Sequence, residues 1–301
     1  MTLRRDSQLD KIALVTGCSS GIGLATAIEL AKNGYTTYAG LRDLDRKQDL
    51  EAAAQKENLE LNLIQLDIAK DDSVKNAIEK ITSEHGRLDV LVNNAGYGYF
   101  GSVESTSIEE FKEQFDTDFF GALRMIQNVL PTMRKQESGH IINVTSVAGF
   151  MGFPVVAAYV TSKFALEGLT DCLRQELFEE DRSKRIHVVA IEPGIVDTKF
   201  YQNMKTAVNA NPESPNSIPR YNKIVAGFQK NAGELFKNAM KPEKVARKII
   251  YILNEEEPEP RYRIGYDADQ YWADKSSVTP IEFEKIVRAM VTEIIPDQES
   301  S

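Results

Sequence analysis

The stretch KIALVTGCSSGIGLATAIEL, residues 11–30, decides the fold of this 301-residue chain. Its first seven residues, 11–17, are mostly apolar or β-branched and predict a short buried strand. In residues 21–33 the apolar side chains recur near helical spacing, which predicts a helix. The glycine-rich turn TGCSSGIG (16–23) joins the two. The chain therefore opens with a strand, a tight turn and a helix.

The same alternation of strand and helix continues along the chain. Further strands are predicted at residues 35–40, 61–68, 88–96, 140–146, 185–194 and 261–265. Further helices are predicted at 43–57, 71–84, 107–135 (with interruptions at Gly121 and Pro131), 157–180, 241–254 and 280–295. Short β-branched runs separated by such helices indicate right-handed crossovers and a parallel sheet covered on both faces. We therefore predict one α/β domain over residues 1–301, a doubly wound Rossmann sheet of about seven strands.

Two segments break this rhythm. Residues 209–220 are rich in Pro, Asn and Ser, which predicts a mobile substrate loop within 199–238. Residues 280–301 are predicted to form a C-terminal helix and tail. The apolar stripe of this helix is more typical of core or subunit contacts than of a membrane anchor. We expect a homodimer or a homotetramer.

The composition excludes several classes of function. A net charge of −9 and a pI near 5.1 disfavour a nucleic-acid partner or an anionic membrane surface. The two cysteines and three histidines show neither a disulfide framework nor metal-ligand spacing, so no metal is expected. The N-terminus lacks the pattern of a signal peptide, and no run of 18 apolar residues predicts a membrane span. We expect a cytoplasmic protein.

The glycine-rich turn predicts a dinucleotide site. Glycines allow a tight turn that brings backbone N–H groups against a diphosphate, and the helix N-terminus adds partial positive charge. An ordinary βα turn is the alternative, but the preceding strand and following helix are the context that a dinucleotide fingerprint requires. The residues predicted to bind the cofactor here are Gly17, Ser19, Ser20, Gly21, Ile22 and Gly23.

Other predicted cofactor contacts follow the third and fourth strands, whose carboxyl ends share one edge of the sheet. Asp67 could accept a hydrogen bond from an adenine amine, beside Ile68. The small residues of Asn94, Ala95 and Gly96 would let a ribose lie on the backbone.

The end of the second strand bears on the choice of cofactor. NAD-binding folds usually place an acid there, but the run AGLRD puts Leu41 at that position and Arg42 after it. An arginine can hold a 2′-phosphate with two hydrogen bonds. A boundary error of one or two residues would instead bring Asp43 into the site. NADP(H) is favoured over NAD(H).

Three tyrosines stand four residues before a lysine, in YVTSK (159–163), YQNMK (201–205) and YWADK (271–275). On a helix this spacing places the phenol and the ammonium on one face. Spacing alone does not say which of the three pairs carries chemistry.

The motifs TGCSSGIG, NNAG, Ser146, YVTSK and PGIVDT (193–198), in this order and spacing, resemble the short-chain dehydrogenase/reductase family. The resemblance covers about residues 11–265, and within the family it is closest to the hydroxysteroid and retinol dehydrogenase branch. It implies a serine at the end of the fifth strand, facing the reactive tyrosine. Ser146 lies 13 residues before Tyr159, whereas the same offset from the other two tyrosines falls on Val188 and Pro258. The resemblance therefore selects Tyr159.

The resemblance also implies the roles of the site residues. Tyr159 would be the acid in reduction and the base in oxidation, and Ser146 would hydrogen-bond the substrate oxygen. Lys163 would hold the nicotinamide ribose and lower the pKa of Tyr159. An ammonium about 4 Å from the tyrosine oxygen stabilises the phenolate by roughly 4 kcal/mol at an effective dielectric constant of about 20. Further cofactor contacts are implied for Pro193, Gly194, Val196 and Thr198.

Asp118 departs from the family pattern, which usually has an asparagine at this position. That asparagine is thought to hold a water in a proton relay that starts at the lysine. An ionised Asp118 near Lys163 would favour the ammonium and partly cancel its pull on Tyr159. We expect an active protein with a shifted pH optimum.

Aromatic residues in YGYF (97–100), in FMGFP (150–154) and between Phe200 and Phe236 are the expected pocket walls, although several could simply be core. They predict a bulky apolar alcohol or carbonyl substrate of steroid, retinoid or other lipid character. One alternative is a 3-oxoacyl-thioester reductase, which the acidic charge balance disfavours. Another is an NADP-binding regulator with impaired catalysis, which Asp118 permits and the intact Ser146, Tyr159 and Lys163 oppose.

Overall fold

A computed structural model describes residues 11–178, 185–221, 224 and 239–292 of the chain. Its main element is a parallel sheet of seven strands in the order β3-β2-β1-β4-β6-β7-β9. These strands are β1 (Ile12–Thr16), β2 (Thr36–Leu41), β3 (Asn62–Gln65), β4 (Val90–Asn93), β6 (Gly139–Val144), β7 (Ile186–Pro193) and β9 (Arg261–Ile264). The predicted seven-stranded, doubly wound sheet is confirmed. Strand β1 pairs with both β2 and β4, so the strand order reverses at β1, where such folds bind ligands.

Helices cover both faces of this sheet. They are α1 (Gly21–Lys32), α2 (Gln48–Lys56), α3 (Asp71–His85), α4 (Ile108–Asp118), α5 (Phe120–Gln136), α6 (Ala157–Glu176), α7 (Pro242–Leu253), α8 (Tyr266–Ser277) and α9 (Pro280–Thr292). One core cluster packs α1, α2 and α7 against the sheet, and a second packs α3, α5 and α6 against the opposite face. Because both faces are covered, all five residues of β1 are buried, which explains its continuous apolar run.

The helix predicted over 107–135 is in fact two helices. The bend lies at Phe119, between α4 and α5, and not at Gly121 or Pro131. Asp118 ends α4, where its carboxylate accepts a hydrogen bond from the backbone N–H of Tyr97 over 3.2 Å. This contact joins distant parts of the chain next to the break, whereas Pro131 lies inside α5.

Two short strands and one helix were not predicted. Strands β5 (Tyr99–Phe100) and β8 (Lys205–Thr206) form a separate two-stranded parallel sheet. Helix α8 follows β9 directly. The predicted substrate loop at 199–238 is described only for residues 199–221 and 224, and its remaining residues lie outside the described part of the chain, so its mobility stays a prediction.

Within the described ranges, no helix has the length and hydropathy needed to cross a bilayer.

The helical glycines Gly121 and Gly168 provide a matched test of the packing. A Cβ on Gly121 would lie 2.6 Å from the Cδ1 of buried Ile68, whereas a Cβ on Gly168 would meet nothing within 4 Å. We expect Gly121→Ala to lower the free energy of unfolding by about 1–3 kcal/mol through overpacking. Gly168→Ala should raise it by about 0.5–1 kcal/mol because alanine is the better helix former. Urea unfolding measures both, and shifts of the same sign would contradict this packing.

Candidate active site

A cavity of about 710 Å³ opens at the carboxyl ends of the central strands. It extends from the glycine-rich turn after β1 to Ser146 and Tyr159. The structure brings nearly all the predicted site residues to its walls: Gly17, Ser19, Ser20, Gly21, Ile22, Arg42, Asp67, Ile68, Asn94, Ala95, Gly96, Ser146, Tyr159, Lys163, Pro193, Gly194, Val196 and Thr198. Gly23 and Asp118 are the exceptions, and both lie directly behind a wall residue.

The glycine-rich turn requires its glycines. Gly17 and Gly21 have φ angles of +74° and +59°, which favour glycine. Gly23 packs so closely that a Cβ there would overlap the carbonyl oxygen of Gly17. The Asn94 side chain donates to the Thr16 carbonyl over 2.9 Å and so ties the end of β4 to this turn.

The N-terminus of α1 fits the diphosphate of a dinucleotide. Its N-cap residue, Ser20, makes no side-chain capping hydrogen bond, and its first turn contains no acidic residue. The first N–H groups of the helix therefore have neither a side-chain acceptor from the cap nor a nearby negative charge that would repel phosphate. Helix α4, by contrast, has a complete capping box and two acids in its first turn.

Two arginines line the end of the cavity near β2. Arg42 was predicted there; Arg46, one turn further on, was missed. The alternative residue, Asp43, uses its carboxylate to accept from the backbone N–H of Asp45 over 2.9 Å, which caps a short 3-10 helix at Leu44–Arg46. In the described part of the chain neither arginine forms an ion pair with a carboxylate.

Ser146, Tyr159 and Lys163 meet at the other end of the cavity. Ser146 follows β6, and its Oγ accepts from the Ala148 N–H over 3.1 Å. Tyr159 lies in the first turn of α6, with its ring centroid 5.6 Å from the Nζ of Lys163 one turn later. Lys163 Nζ is buried and donates to the carbonyl of Val144 over 3.1 Å. The end of β6 therefore positions both Ser146 and the lysine.

The expected lowering of the tyrosine pKa is wrong for the protein alone. Burial raises the pKa of Tyr159 above its ordinary value, because the phenolate loses its hydration. The nearby Ser146 side chain lowers this pKa, and the negative charge of Asp118 raises it. Lys163 instead directs its ammonium at Val144 and Asp118.

Asp118 occupies a buried position beside this lysine. Its Oδ2 lies 3.7 Å from Lys163 Nζ, and neither side chain is more than 6% exposed. Burial raises the pKa of Asp118 to about 6, against the opposing effects of Lys163 and of the hydrogen bond from Tyr97. Its carboxylate also packs on Gly96, where a Cβ would lie 3.0 Å from Oδ2. The carboxylate is thus ionised above about pH 6.

In the other two Tyr–Lys motifs the lysine binds a different group, but both tyrosines line the same cavity. Tyr201 and Tyr271 join its wall beside Tyr159. Lys205 forms an ion pair with Glu113 over 3.2 Å, and both residues also line the cavity. Lys275 donates to the carbonyl of Phe150. Tyr201 belongs to the wall expected between Phe200 and Phe236, whereas Tyr271 was not predicted there, because only the fold brings it to Tyr159.

The expected pocket walls are partly correct. Tyr97, Phe153 and Phe200 line the cavity, and the Phe200 ring lies 5.2 Å from that of Tyr159. Tyr99, Phe100, Phe150 and Met151 from the same motifs are buried in core clusters. The part of the Phe200–Phe236 wall from residue 225 onward lies outside the described residues.

The PGIVDT motif closes the cavity over the glycine turn. A Cβ on Gly21 would lie 3.0 Å from the methyl group of Thr198. The backbone N–H of Ile195 donates to the carboxylate of Asp267 in α8 over 2.6 Å. Asp267 has no counterpart in the motifs that the sequence offered.

The chain is similar to known dehydrogenases. Residues 11–209 match the family model described as short chain dehydrogenase. Retinol dehydrogenase 8 of Bos taurus is 37% identical over 259 residues, covering 84% of this chain and 81% of its own. A 3-ketodihydrosphingosine reductase of Bacteroides thetaiotaomicron is 33% identical, covering 90% and 93%. Estradiol 17-beta-dehydrogenase 1 of Rattus norvegicus is 34% identical, covering 83% and 72%.

Solved structures show the same fold. A short-chain dehydrogenase from Streptomyces avermitilis superposes with a TM-score of 0.75 at 29% identity, covering 95% of this chain and 96% of its own. An alcohol dehydrogenase from Thermococcus sibiricus, complexed with 5-hydroxy-NADP, has a TM-score of 0.66 at 26% identity, covering 84% and 95%. The chain belongs to the short-chain dehydrogenase/reductase family, as an NAD(P)-dependent oxidoreductase similar to its hydroxysteroid and retinol dehydrogenases.

Proposed function

We propose that this protein interconverts a bulky apolar alcohol and its ketone or aldehyde by hydride transfer, with Tyr159 as the acid and base. The observation that carries the proposal is the single cavity that joins the glycine-rich turn to Ser146, Tyr159 and Lys163. A dinucleotide at the turn and a substrate at Tyr159 would share this space. A nicotinamide cofactor, when bound, supplies or accepts the hydride, while the protein supplies position and proton transfer.

In the reducing direction, the Tyr159 phenol gives its proton to the substrate oxygen as the carbonyl carbon receives the hydride. The Ser146 hydroxyl donates a hydrogen bond to the same oxygen and stabilises the developing negative charge. In the oxidising direction the Tyr159 phenolate removes the proton from the alcohol. Lys163 is held beside these steps by the carbonyl of Val144 and the carboxylate of Asp118.

Burial raises the pKa of Tyr159, so near neutral pH the phenol is the form available to donate a proton in the reducing direction. A tyrosine whose pKa lies above its ordinary value of 10.0 is protonated at pH 7 and ready to act as an acid. Oxidation needs the phenolate, whose population grows only as the pH rises toward that pKa.

The walls support an apolar substrate. Tyr97, Phe153, Phe200, Tyr201 and Tyr271 line the reactive end, and their aromatic rings favour an apolar ligand, although Glu113, Asn203 and Lys205 also line the cavity. The relatives reported above carry names that refer to retinol, estradiol and 3-ketodihydrosphingosine, which agree with this class. We extend the class to this chain as part of the proposal.

Replacing Tyr159 tests the proposed chemistry. We expect Tyr159→Phe to lower kcat by about 10²–10⁴-fold, because the proton donor is lost, while cofactor binding persists. Tyr251→Phe, at an exposed position on α7, is the matched control and should keep native activity. The assay follows nicotinamide absorbance with retinoid, steroid and long-chain 3-oxo substrates, using NADPH and NADH for carbonyls and NADP⁺ and NAD⁺ for alcohols. Native turnover by Tyr159→Phe would exclude the mechanism, and no turnover of any apolar carbonyl or alcohol by the native protein would exclude the substrate class.

The Asp118 charge should shift the pH dependence of oxidation. Because this charge raises the pKa of Tyr159, Asp118→Asn should lower that pKa and move the alkaline rise of the oxidation rate to lower pH, by up to about one unit. The difference should disappear below about pH 6, where Asp118 is protonated in the native protein. Glu109→Gln, on the exposed side of α4, is the control. Coincident pH–rate profiles of native protein and Asp118→Asn would refute the effect.

The cofactor preference is also a proposal. Arg42 and Arg46, both exposed on the cavity wall, support NADP(H) because a guanidinium pairs well with a 2′-phosphate. Asp43 lines the same end of the cavity, but one of its carboxylate oxygens accepts from the Asp45 N–H, which leaves it less suited to a ribose 2′-hydroxyl.

Arg42→Ala should weaken NADPH binding by about tenfold or more, because one charge-assisted contact is lost, and should change NADH binding by less than about threefold. Quenching of protein fluorescence by each cofactor measures both affinities. Lys47→Ala, which removes a cation from the same segment outside the cavity wall, is the control. Tighter binding of NADH than of NADPH by the native protein would overturn the preference.

A further inference from the structure

Helix α8 lies beyond the residues that match the family model, which end at residue 209. Three of its residues, Asp267, Tyr271 and Lys275, are spaced four apart and therefore share one face of the helix. Each makes a different contact around the cavity. Asp267 contacts the loop after β7, Tyr271 lines the cavity, and Lys275 donates to the carbonyl of Phe150 in the segment after Ser146.

The Asp267 carboxylate lies against the backbone of the loop after β7. Its Oδ2 accepts from the N–H of Ile195 over 2.6 Å. A Cβ on Gly194 would overlap this carboxylate, and a Cβ on Gly265 would lie 2.5 Å from its Oδ1. Gly265 also has a φ of +119°, a conformation that suits glycine alone. Two glycines thus leave the space that the carboxylate occupies.

The same loop is held by backbone hydrogen bonds on either side of this contact. Gly194 N–H donates to the carbonyl of Ile264 over 2.9 Å. The Met240 N–H donates to the carbonyl of Ile195 over 3.0 Å, and the Asp197 N–H donates to the carbonyl of Met240 over 2.8 Å. Asp267 thus supplies a side-chain acceptor to a backbone N–H of a segment whose other hydrogen bonds described here join main chain to main chain, apart from the ion pair of Asp197 with Lys241. This segment carries the cavity-lining residues from Pro193 to Thr198.

We propose that Asp267 is a positioning residue that fixes the backbone of residues 194–198 for the nicotinamide end of the cofactor. The proposal rests on the proposed function, because it requires a nicotinamide dinucleotide in the cavity. Asp267 does not touch the reacting atoms in this account; it acts through the loop. Tyr271, one turn later, lines the substrate end of the cavity, so α8 connects the cofactor loop with the substrate wall.

A simpler role is possible for any acid in the first turn of a helix, where a negative charge stabilises the helix dipole. Asp269 lies in the same first turn and is exposed. Asp269 can stabilise the helix dipole as Asp267 does, but it has no hydrogen bond to the loop after β7 in the described structure. Asp269→Ala is therefore a matched control for the purely helical role.

The experiment measures the affinity of the full chain for NADPH and for 2′,5′-ADP, which represents only the adenosine end. Asp267→Ala should weaken NADPH binding by about tenfold, because a charge-assisted hydrogen bond to the loop is lost, and should leave 2′,5′-ADP binding unchanged. Asp267→Asn, which keeps an acceptor oxygen, should recover most of the affinity. Asp269→Ala should match the native protein. If the native protein prefers NADH, NADH and ADP replace the two ligands.

A double-mutant cycle supplies a second measurement that does not depend on one variant folding well. Gly194→Ala places a Cβ on the carboxylate and should itself weaken NADPH binding. Adding Asp267→Ala removes the group that this Cβ meets, so the two effects should be strongly non-additive.

Unchanged NADPH affinity in Asp267→Ala, equal losses for NADPH and 2′,5′-ADP, an equal loss in Asp269→Ala, or additive effects in the cycle would each overturn the positioning role. A native protein that binds neither NADPH nor NADH would overturn the proposed function itself, which is a separate result.

Discussion

The site depends on the contacts that the buried Lys163 ammonium makes with Val144 and Asp118. The ammonium lies 3.1 Å from the carbonyl of Val144 at the end of β6 and 3.7 Å from the carboxylate of Asp118 at the end of α4. Removing one member of a buried ion pair typically costs about 3–5 kcal/mol, because the other charge is left without a partner. The pair therefore fixes three elements relative to one another: β6, the junction of α4 and α5, and α6. Tyr159 lies one turn before the lysine on α6 and takes its position from the same constraint.

This ion pair changes how the site should work. An ammonium that faces a carboxylate stabilises a nearby phenolate less. Burial of Tyr159 acts in the same direction, because it disfavours the charged phenolate. We therefore interpret Tyr159 as an acid that is protonated over the ordinary pH range. An asparagine in place of Asp118 would remove one negative charge from this field while keeping an acceptor for the Tyr97 N–H.

Much of the fold could be predicted from the sequence because its signals are local. The apolar run of β1 and the glycines at positions 17, 21 and 23 each act within a few residues. The break between α4 and α5 at Phe119 was not predicted, and the contact beside it, from the distant Tyr97 to Asp118, is not visible in the local sequence. The roles of Tyr201, Tyr271 and Asp267 depend on how α8 and the loop after β7 fold back to the cavity. The raised pKa of Tyr159 likewise follows from burial, which spacing does not show.

The ionisation of Tyr159 in the free protein tests the central claim most directly. Protein labelled with ring-¹³C tyrosine would be titrated by NMR, with the Tyr159 signal identified by its loss in Tyr159→Phe. The account predicts that this signal keeps the chemical shift of a phenol through pH 10, the ordinary pKa of tyrosine. A Tyr159 that ionises below pH 10 would contradict it, because Lys163 would then act mainly on the phenolate and not on Asp118.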